Sequence, residues 1–69
     1  MAKRFAVGSR VALKPGSPSY KHFINYMPVT GEIINHDETH TIGQAFRPWL
    51  VRFDDDRESW YAKNELVLI

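Results

Sequence analysis

Two histidines four positions apart carry the clearest metal-binding chemistry in this sequence. In "HDETH", His36 and His40 enclose Asp37 and Glu38. On a helix this spacing would place both imidazoles on one face, as a helical zinc site requires. No apolar periodicity predicts a helix here, and we expect His36 to end a strand instead. The sequence therefore predicts a solvated polar loop, no bound metal and no cofactor.

Catalytic groups do not form a recognisable set in the sequence. The serines have no histidine or acid at the spacing of a known nucleophile motif, and there is no glycine-rich loop of the phosphate-binding kind. A chain of 69 residues also offers little cavity from which water could be excluded. We therefore predict that the chain alone is not an enzyme.

Aromatic residues are the best candidates for a contact surface. One group lies in "PSYKHFINYMPVTG", residues 18–31, and the other lies around the strand "WLVRF" and its return strand. Exposed aromatic surfaces mark protein or peptide contacts. The predicted partner-binding residues are Tyr20, Phe23, Tyr26, Trp49, Trp60 and Tyr61. The alternative is that most of these rings fill the interior of the domain and close its open ends.

The stretch from residue 18 to residue 31 is expected to be an ordered long loop. Phe23 and Met27 should fold back onto the domain, while Tyr20 and Tyr26 keep their hydroxyls at the surface. Of the two tryptophans, one should be in the core and one partly exposed. The two tyrosines and a neighbouring tryptophan are then predicted to contact a protein partner or a second subunit.

Acidic residues concentrate at one turn, "DDDRE", residues 54–58. The turn lacks the glycine that such hairpins often hold, so one aspartate is expected to adopt the left-handed conformation. We predict a solvated turn; the alternative is an acidic lip that repels phosphate and favours a basic partner. The formal net charge of +1 argues against a nucleic-acid binder and gives little repulsion against self-association.

The composition is that of one small globular domain, residues 1–69, with 43% hydrophobic residues. The absence of cysteine excludes disulfides and thiolate zinc sites and fits a reducing compartment. The opening "MAKRF" lacks the apolar segment of a secretory signal, and no apolar run approaches the roughly 20 residues that cross a bilayer. We therefore expect a cytoplasmic protein without membrane contact.

Alternating apolar and polar residues predict five short strands. They lie in "GSRVALKPG", "VTGEIINH", "WLVRF", "ESWYA" and "LVLI", with a polar loop over 37–48 and a short turn at "KNE". Gly31 indicates a bend or a close backbone approach. The predicted core is Val11, Leu13, Ile33, Val51, Phe53, Leu66 and Leu68. So many strands in a short chain predict an all-β fold, a small SH3-like five-stranded barrel with a long loop after the first strand.

The opening "RFAVGSRVALKPGS" resembles SH3-like barrels of the electron-transport-accessory group. That group includes the C-terminal domain of the nitrile hydratase β-subunit, a small accessory protein of photosystem I and the variable chain of ferredoxin–thioredoxin reductase. The nitrile hydratase domain has a phenylalanine, a valine-glycine pair and "RV", then a His/Pro/Tyr loop, a "TG-x-V" strand and a "V-R-F" strand. The matching residues here are Phe5, Val7, Gly8, Arg10, Val11, Tyr20 to Tyr26, Thr30, Gly31, Ile33, Val51, Arg52 and Phe53. The resemblance implies an SH3-like barrel with an accessory role.

A second resemblance is to the type II dihydrofolate reductases, which are also small SH3-like barrels. Their opening pattern, F-x-x-G-x-R-V-x-x-K, is met by Phe5, Gly8, Arg10, Val11 and Lys14. Their ending, Val-Gln-Ile-Tyr, aligns with Glu58-Ser59-Trp60-Tyr61, where only the tyrosine matches. The glutamine and isoleucine that this family uses for folate and cofactor are absent. An oligomeric reductase of this type is a minor alternative.

Two function classes follow from these observations. The favoured one is a non-catalytic interaction or accessory module that binds a partner protein, or a copy of itself, through the aromatic loop. The alternative is a small nucleic-acid-binding barrel whose exposed aromatics stack on bases. The basic residues that support the alternative are Lys3, Arg4, Arg10, Lys14 and Lys21.

Overall fold

The computed structural model describes residues 5–25 and 27–69. They are mostly β-strand with one short helix, which is consistent with the predicted all-β class. The elements are β1 (Arg10–Leu13), α1 (Pro18–Phe23), β2 (Thr30–His36), β3 (Thr41–Ile42), β4 (Ala45–Phe46), β5 (Trp49–Phe53), β6 (Glu58–Tyr61), a 3₁₀ helix (Lys63–Glu65) and β7 (Leu66–Leu68). No helix in these two ranges is long and apolar enough to cross a membrane.

The strands form two antiparallel sheets. The larger sheet has the order β6-β5-β2-β1-β7, and the smaller one is the β3–β4 hairpin. The prediction of a loop over 37–48 is therefore wrong for residues 41–46. Strands of two residues are too short to show alternation, and the turn between them is made by Gly43, whose φ is 61°. Glycine takes this left-handed conformation without steric cost.

The long segment after β1 contains α1, a six-residue helix. Ser17 caps its first turn, because the Tyr20 amide donates to the Ser17 Oγ at 3.2 Å. Pro18 begins the helix, where its missing N–H leaves no hydrogen bond unmade. Phe23 packs against the core as predicted, whereas Met27 is 37% exposed and its prediction is wrong. The position under α1 is already occupied by Phe23, so the chain carries Met27 outward.

The core lies on the inward faces of the larger sheet, as the alternation predicts. Six of the predicted core residues are buried, and Leu68 is partly buried against them because β7 is an edge strand with one neighbour. Trp49 and Tyr61 complete the core, at 9% and 3% exposure. Their cross-strand pairing between β5 and β6 places both rings on the same inward face.

Gly31 lies where β2 crosses closest to β5, and this confirms the predicted close approach. A Cβ atom at this position would lie 2.8 Å from the Phe53 Cα and would also meet the Arg52 backbone. Such distances do not occur in relaxed structures, and backbone cannot move aside as a flexible side chain can. The pairing of β2 with β5 in this register therefore requires glycine at position 31.

A bulge at Ile34 changes the register later in the same strand pair. Ile33 pairs with Val51, but Asn35 pairs with Leu50, so Ile34 is an extra residue on β2. Without it, Asn35 would face Trp49; with it, His36 takes that place. The bulge thus decides which side chain of β2 lies against the Trp49 ring.

Arg57 joins the α1 segment to the larger sheet. Its guanidinium carbon lies 4.4 Å from the centroid of the Phe23 ring and 4.3 Å from that of the Phe53 ring, so the group is held between two aromatic faces. Its Nη2 donates to the Pro28 carbonyl at 3.1 Å, and its Nε lies 3.5 Å from the Asp55 carboxylate. One side chain therefore holds the helix, the loop after it and the β5–β6 turn.

The turn that presents Arg57 has the predicted backbone. Asp56 has a φ of 68° and occupies the left-handed region that one aspartate of "DDDRE" was expected to adopt. The Arg57 amide donates to the Asp55 side chain at 3.2 Å, which stabilises this conformation.

We expect Gly31→Ala to destabilise the domain by about 1–3 kcal/mol, the usual cost of forcing extra atoms into a packed interior. Urea unfolding followed by circular dichroism measures the change. Gly43→Asn is the matched control, because asparagine tolerates the left-handed backbone and that turn has open space around it. An alanine variant as stable as the original chain would contradict the close approach of β2 and β5.

Arg57→Lys tests the role of the planar guanidinium. Lysine keeps the charge but loses the stacking on two rings and the fixed fork of donors, so we expect a loss of about 1–2 kcal/mol in unfolding free energy. Arg52→Lys is the control, since Arg52 makes an exposed ion pair with Glu58 and should change stability by less than about 0.5 kcal/mol. Equal effects of the two substitutions would show that only charge matters at position 57.

Candidate functional site

The largest concave surface of the described chain is a groove of about 600 Å³ between the end of β2, the β3–β4 hairpin and the 3₁₀ helix. Its lining combines aromatic and apolar groups with a few polar ones. The lining residues are His36, Glu38, Phe46, Pro48, Trp49, Ala62, Lys63 and Asn64. Ligand sites are typically concave and mostly apolar with a small number of polar groups, and this groove has that character.

The floor of the groove is built on Trp49. The His36 imidazole stacks on the indole with centroids 3.8 Å apart and planes 12° from parallel. Its Nε2 lies 3.0 Å from the Glu38 carboxylate, which fixes the orientation of the ring. Phe5 contacts the indole at a centroid distance of 5.9 Å, and the Lys63 ammonium lies 5.3 Å from the Phe5 ring centroid. The floor is therefore rigid and pre-formed.

Phe46 stands on the wall of the groove and is 50% exposed. It belongs to the β3–β4 hairpin, and Pro48 follows it immediately before β5. Half of a phenylalanine side chain in water is an unfavourable arrangement that a bound apolar group would relieve. Phe46 is thus the groove residue with the most apolar surface to offer.

A second hollow of about 370 Å³ adjoins the groove at Asn64, which lines both. Its other lining residues come from the end of β1, the cap of α1 and the 3₁₀ helix: Lys14, Pro15, Gly16, Ser17, Pro18 and Glu65. The 3₁₀ helix is fixed by a hydrogen bond from the Ala62 amide to Glu65 and by an Arg47–Glu65 ion pair of 3.3 Å. The two hollows therefore form a bent path across a rigid turn.

His40 makes a second histidine–tryptophan stack, away from the groove lining. Its ring lies 3.8 Å from Trp60, with planes 15° apart. Its Nδ1 lies 3.0 Å from the Arg47 carbonyl, and the Arg47 amide donates to the His40 carbonyl at 3.0 Å. These contacts close the base of the β3–β4 hairpin.

The two histidines of "HDETH" thus have separate structural partners. His36 ends β2 as predicted, and Asp37 accepts hydrogen bonds from the Thr39 backbone and hydroxyl, which lower the pKa of the Asp37 carboxyl. Within residues 5–25 and 27–69, no group of three or more His, Cys, Asp or Glu side chains is placed to hold a metal ion.

The predicted contact aromatics lie in different environments. Trp49 and Tyr61 are buried in the core, and Trp60 is the partly exposed tryptophan, so the expected division between the two tryptophans is confirmed. Tyr20 and Phe23 on α1 are partly buried against the core. Tyr26 lies outside the described residues, so the contact surface expected of Tyr20 and Tyr26 stays a prediction.

Only Trp49 of the predicted set lines the groove. Phe46, Lys63 and Asn64 were not among the sequence candidates. Phe46 had one available signal, because it is the single aromatic residue in a polar, glycine-containing segment. Such an isolated ring is either buried by a distant part of the chain or left exposed.

Positive charge is neutralised across the described surface. Each of the four arginines in residues 5–25 and 27–69 forms an ion pair with a carboxylate: Arg10 with Asp54, Arg47 with Glu65, Arg52 with Glu58 and Arg57 with Asp55. The same pairs occupy three of the four acidic groups of "DDDRE". Neither a basic stripe for phosphates nor a free acidic lip results from this arrangement.

Asp54 is the most connected of these carboxylates. Arg10 donates to both of its oxygens, at 3.0 and 3.3 Å, and the Thr30 hydroxyl also donates to it. These hydrogen bonds lower the pKa of Asp54, and the same contact raises the pKa of Arg10. The pair ties β1 and the start of β2 to the β5–β6 turn.

The lowered pKa of Asp54 predicts a pH-dependent contribution to stability. It is fully present above the carboxyl pKa of the unfolded chain, about 4, and is lost as the pH falls through the lower folded value. Asp54→Asn should therefore lower the urea midpoint at pH 7, and the difference should close in acid. Asp56→Asn is the control, because the described chain holds no ion-pair partner for Asp56. A difference that persists unchanged in strong acid would contradict this assignment.

Comparisons with known proteins give this chain no family. A scan against protein-family models and searches of curated proteins and of solved structures find no match. What the groove binds must therefore be inferred from its own geometry and chemistry.

Proposed function

We propose that the chain is a non-catalytic SH3-like barrel module that binds an extended segment of a partner protein in the groove. The barrel is our interpretation of the element order, since the larger sheet is not closed. It is supported by the long segment after β1, the close approach at Gly31, the tight β5–β6 turn and the 3₁₀ helix before β7.

The observation that carries the proposed function is the path formed by the two adjoining hollows. It has an aromatic floor at Trp49, an exposed apolar wall at Phe46 and polar groups at Lys63 and Asn64. An extended peptide presents side chains alternately to its two faces and matches successive hollows along a surface. The rigid floor also spares the binding reaction the cost of ordering it.

The ring contacts support a binding role without catalysis. Both histidines nearest the groove are stacked on indoles and bonded to protein groups, as a structural imidazole would be. Tyr61, the one residue that fits the reductase ending, is 3% exposed and has almost no surface for a ligand. These features favour the interaction module over the reductase.

The nucleic-acid alternative has less support. Affinity for phosphates requires basic side chains that are available to release counterions, and the described arginines are all paired with carboxylates. Lys3 and Arg4, which contributed to that hypothesis, lie outside the described residues.

Selection from a library of random linear peptides displayed on phage tests the proposed function. The immobilised full chain should enrich a consensus with an apolar residue at a fixed position. In nuclear magnetic resonance titrations, the strongest enriched peptide should shift the amide signals of Lys63, Asn64 and Phe46. Failure to enrich any consensus, or shifts confined to the opposite side of the sheet, would contradict the proposal.

Phe46→Ser should weaken that peptide by at least about tenfold, as truncation of an interface anchor does. Ile24→Ser is the matched control, because Ile24 is a similarly exposed apolar residue that does not line the groove. Fluorescence titration of a labelled peptide measures both affinities. Equal weakening by the two substitutions would show that the peptide does not bind beside Phe46.

A further inference from the structure

The β3–β4 hairpin is the one part of the described chain whose strands form a sheet of their own. It contains Thr41–Ile42 and Ala45–Phe46, joined by the Gly43 turn. Among the described residues, no backbone hydrogen bond links residues 41–46 to the larger sheet; the contacts of His40 with Arg47 hold only its base. Each of its strands therefore has one neighbour and one open edge.

The open edges of this hairpin have none of the protection that proteins usually give to such edges. Charged residues, prolines and bulges normally prevent an edge strand from pairing with another chain. Residues 41–46 are "TIGQAF", without charge or proline, although charged residues make up 25% of the whole sequence. Ile42 is also 52% exposed.

The edges of the larger sheet differ from the hairpin. β6 carries Glu58, which is paired with Arg52 on the adjacent strand. β7 has no exposed side chain within its three residues. The combination of an open backbone edge, an exposed apolar side chain and no charge is therefore found at β3.

The chemistry of this edge selects its partner. A twofold axis brings each group of a surface near the same groups of the other copy, so a charged patch meets its own charge. The uncharged hairpin avoids that repulsion, and the net charge of +1 adds little at longer range. A second copy of this chain also offers an identical unpaired antiparallel edge.

We propose that two copies of the chain associate through β3, edge to edge about a twofold axis, with Ile42 of each copy packed against β3 of the other. The two hairpins then form one four-stranded antiparallel sheet. Because Ile42 does not line the groove, this association leaves the peptide path open and does not depend on the proposed function. The contact is small, so the dimer is weak and concentration-dependent.

Sedimentation equilibrium of the full chain, up to millimolar concentration, tests the proposal. The unmodified chain should fit a monomer–dimer equilibrium, and Ile42→Lys should weaken it by at least about tenfold through like charges placed across the axis. Val7→Lys is the matched control, because Val7 is 60% exposed and lies outside the hairpin, and the substitution adds the same charge. It should leave the dimer unchanged.

Amide hydrogen exchange of the unmodified chain provides a second readout that needs no variant. The exposed edge amides of β3 should exchange more slowly as concentration rises, while those of β6 should not change. A chain that stays monomeric at all concentrations overturns the proposal. So does a dimer equally sensitive to both lysine substitutions, or one in which only β6 or β7 becomes protected.

Discussion

The guanidinium of Arg57 between the Phe23 and Phe53 rings is the contact on which the arrangement of the α1 segment depends. A six-residue helix has little stability of its own, and α1 contains no buried residue. The stack supplies what the helix lacks, because it connects α1 to a fully packed core side chain. The hydrogen bond to the Pro28 carbonyl extends the same anchoring to the chain that enters β2. The long segment therefore has a defined path without a core of its own.

Two backbone features of β2 then set the geometry of the groove. Gly31 allows β2 to lie against β5, and the bulge at Ile34 advances the chain by one residue before His36. The groove floor is consequently determined by backbone register several residues before the side chains that form it. A substitution at position 31 or 34 would alter the groove although neither residue lines it.

Much of the larger sheet follows from the sequence, because alternation in β1, β2 and β5 identifies the inward residues directly. The glycine of β2 and the left-handed aspartate could be predicted for the same reason, since each meets a local steric requirement. The β3–β4 hairpin could not, because two-residue strands have no period to detect. Nor could the Ile34 bulge, which arises from pairing with a distant strand. Without the bulge, nothing placed His36 on Trp49, and the groove remained unseen.

The two histidine–tryptophan stacks have a practical consequence. The chain has only two tryptophans, and each lies under an imidazole at a different place: Trp49 in the floor of the groove and Trp60 at the base of the hairpin. Indole emission depends on the polarity and the groups at the ring face. Each tryptophan is thus a natural optical label for one region, and replacing either by phenylalanine would leave a spectrum that reports on the other alone.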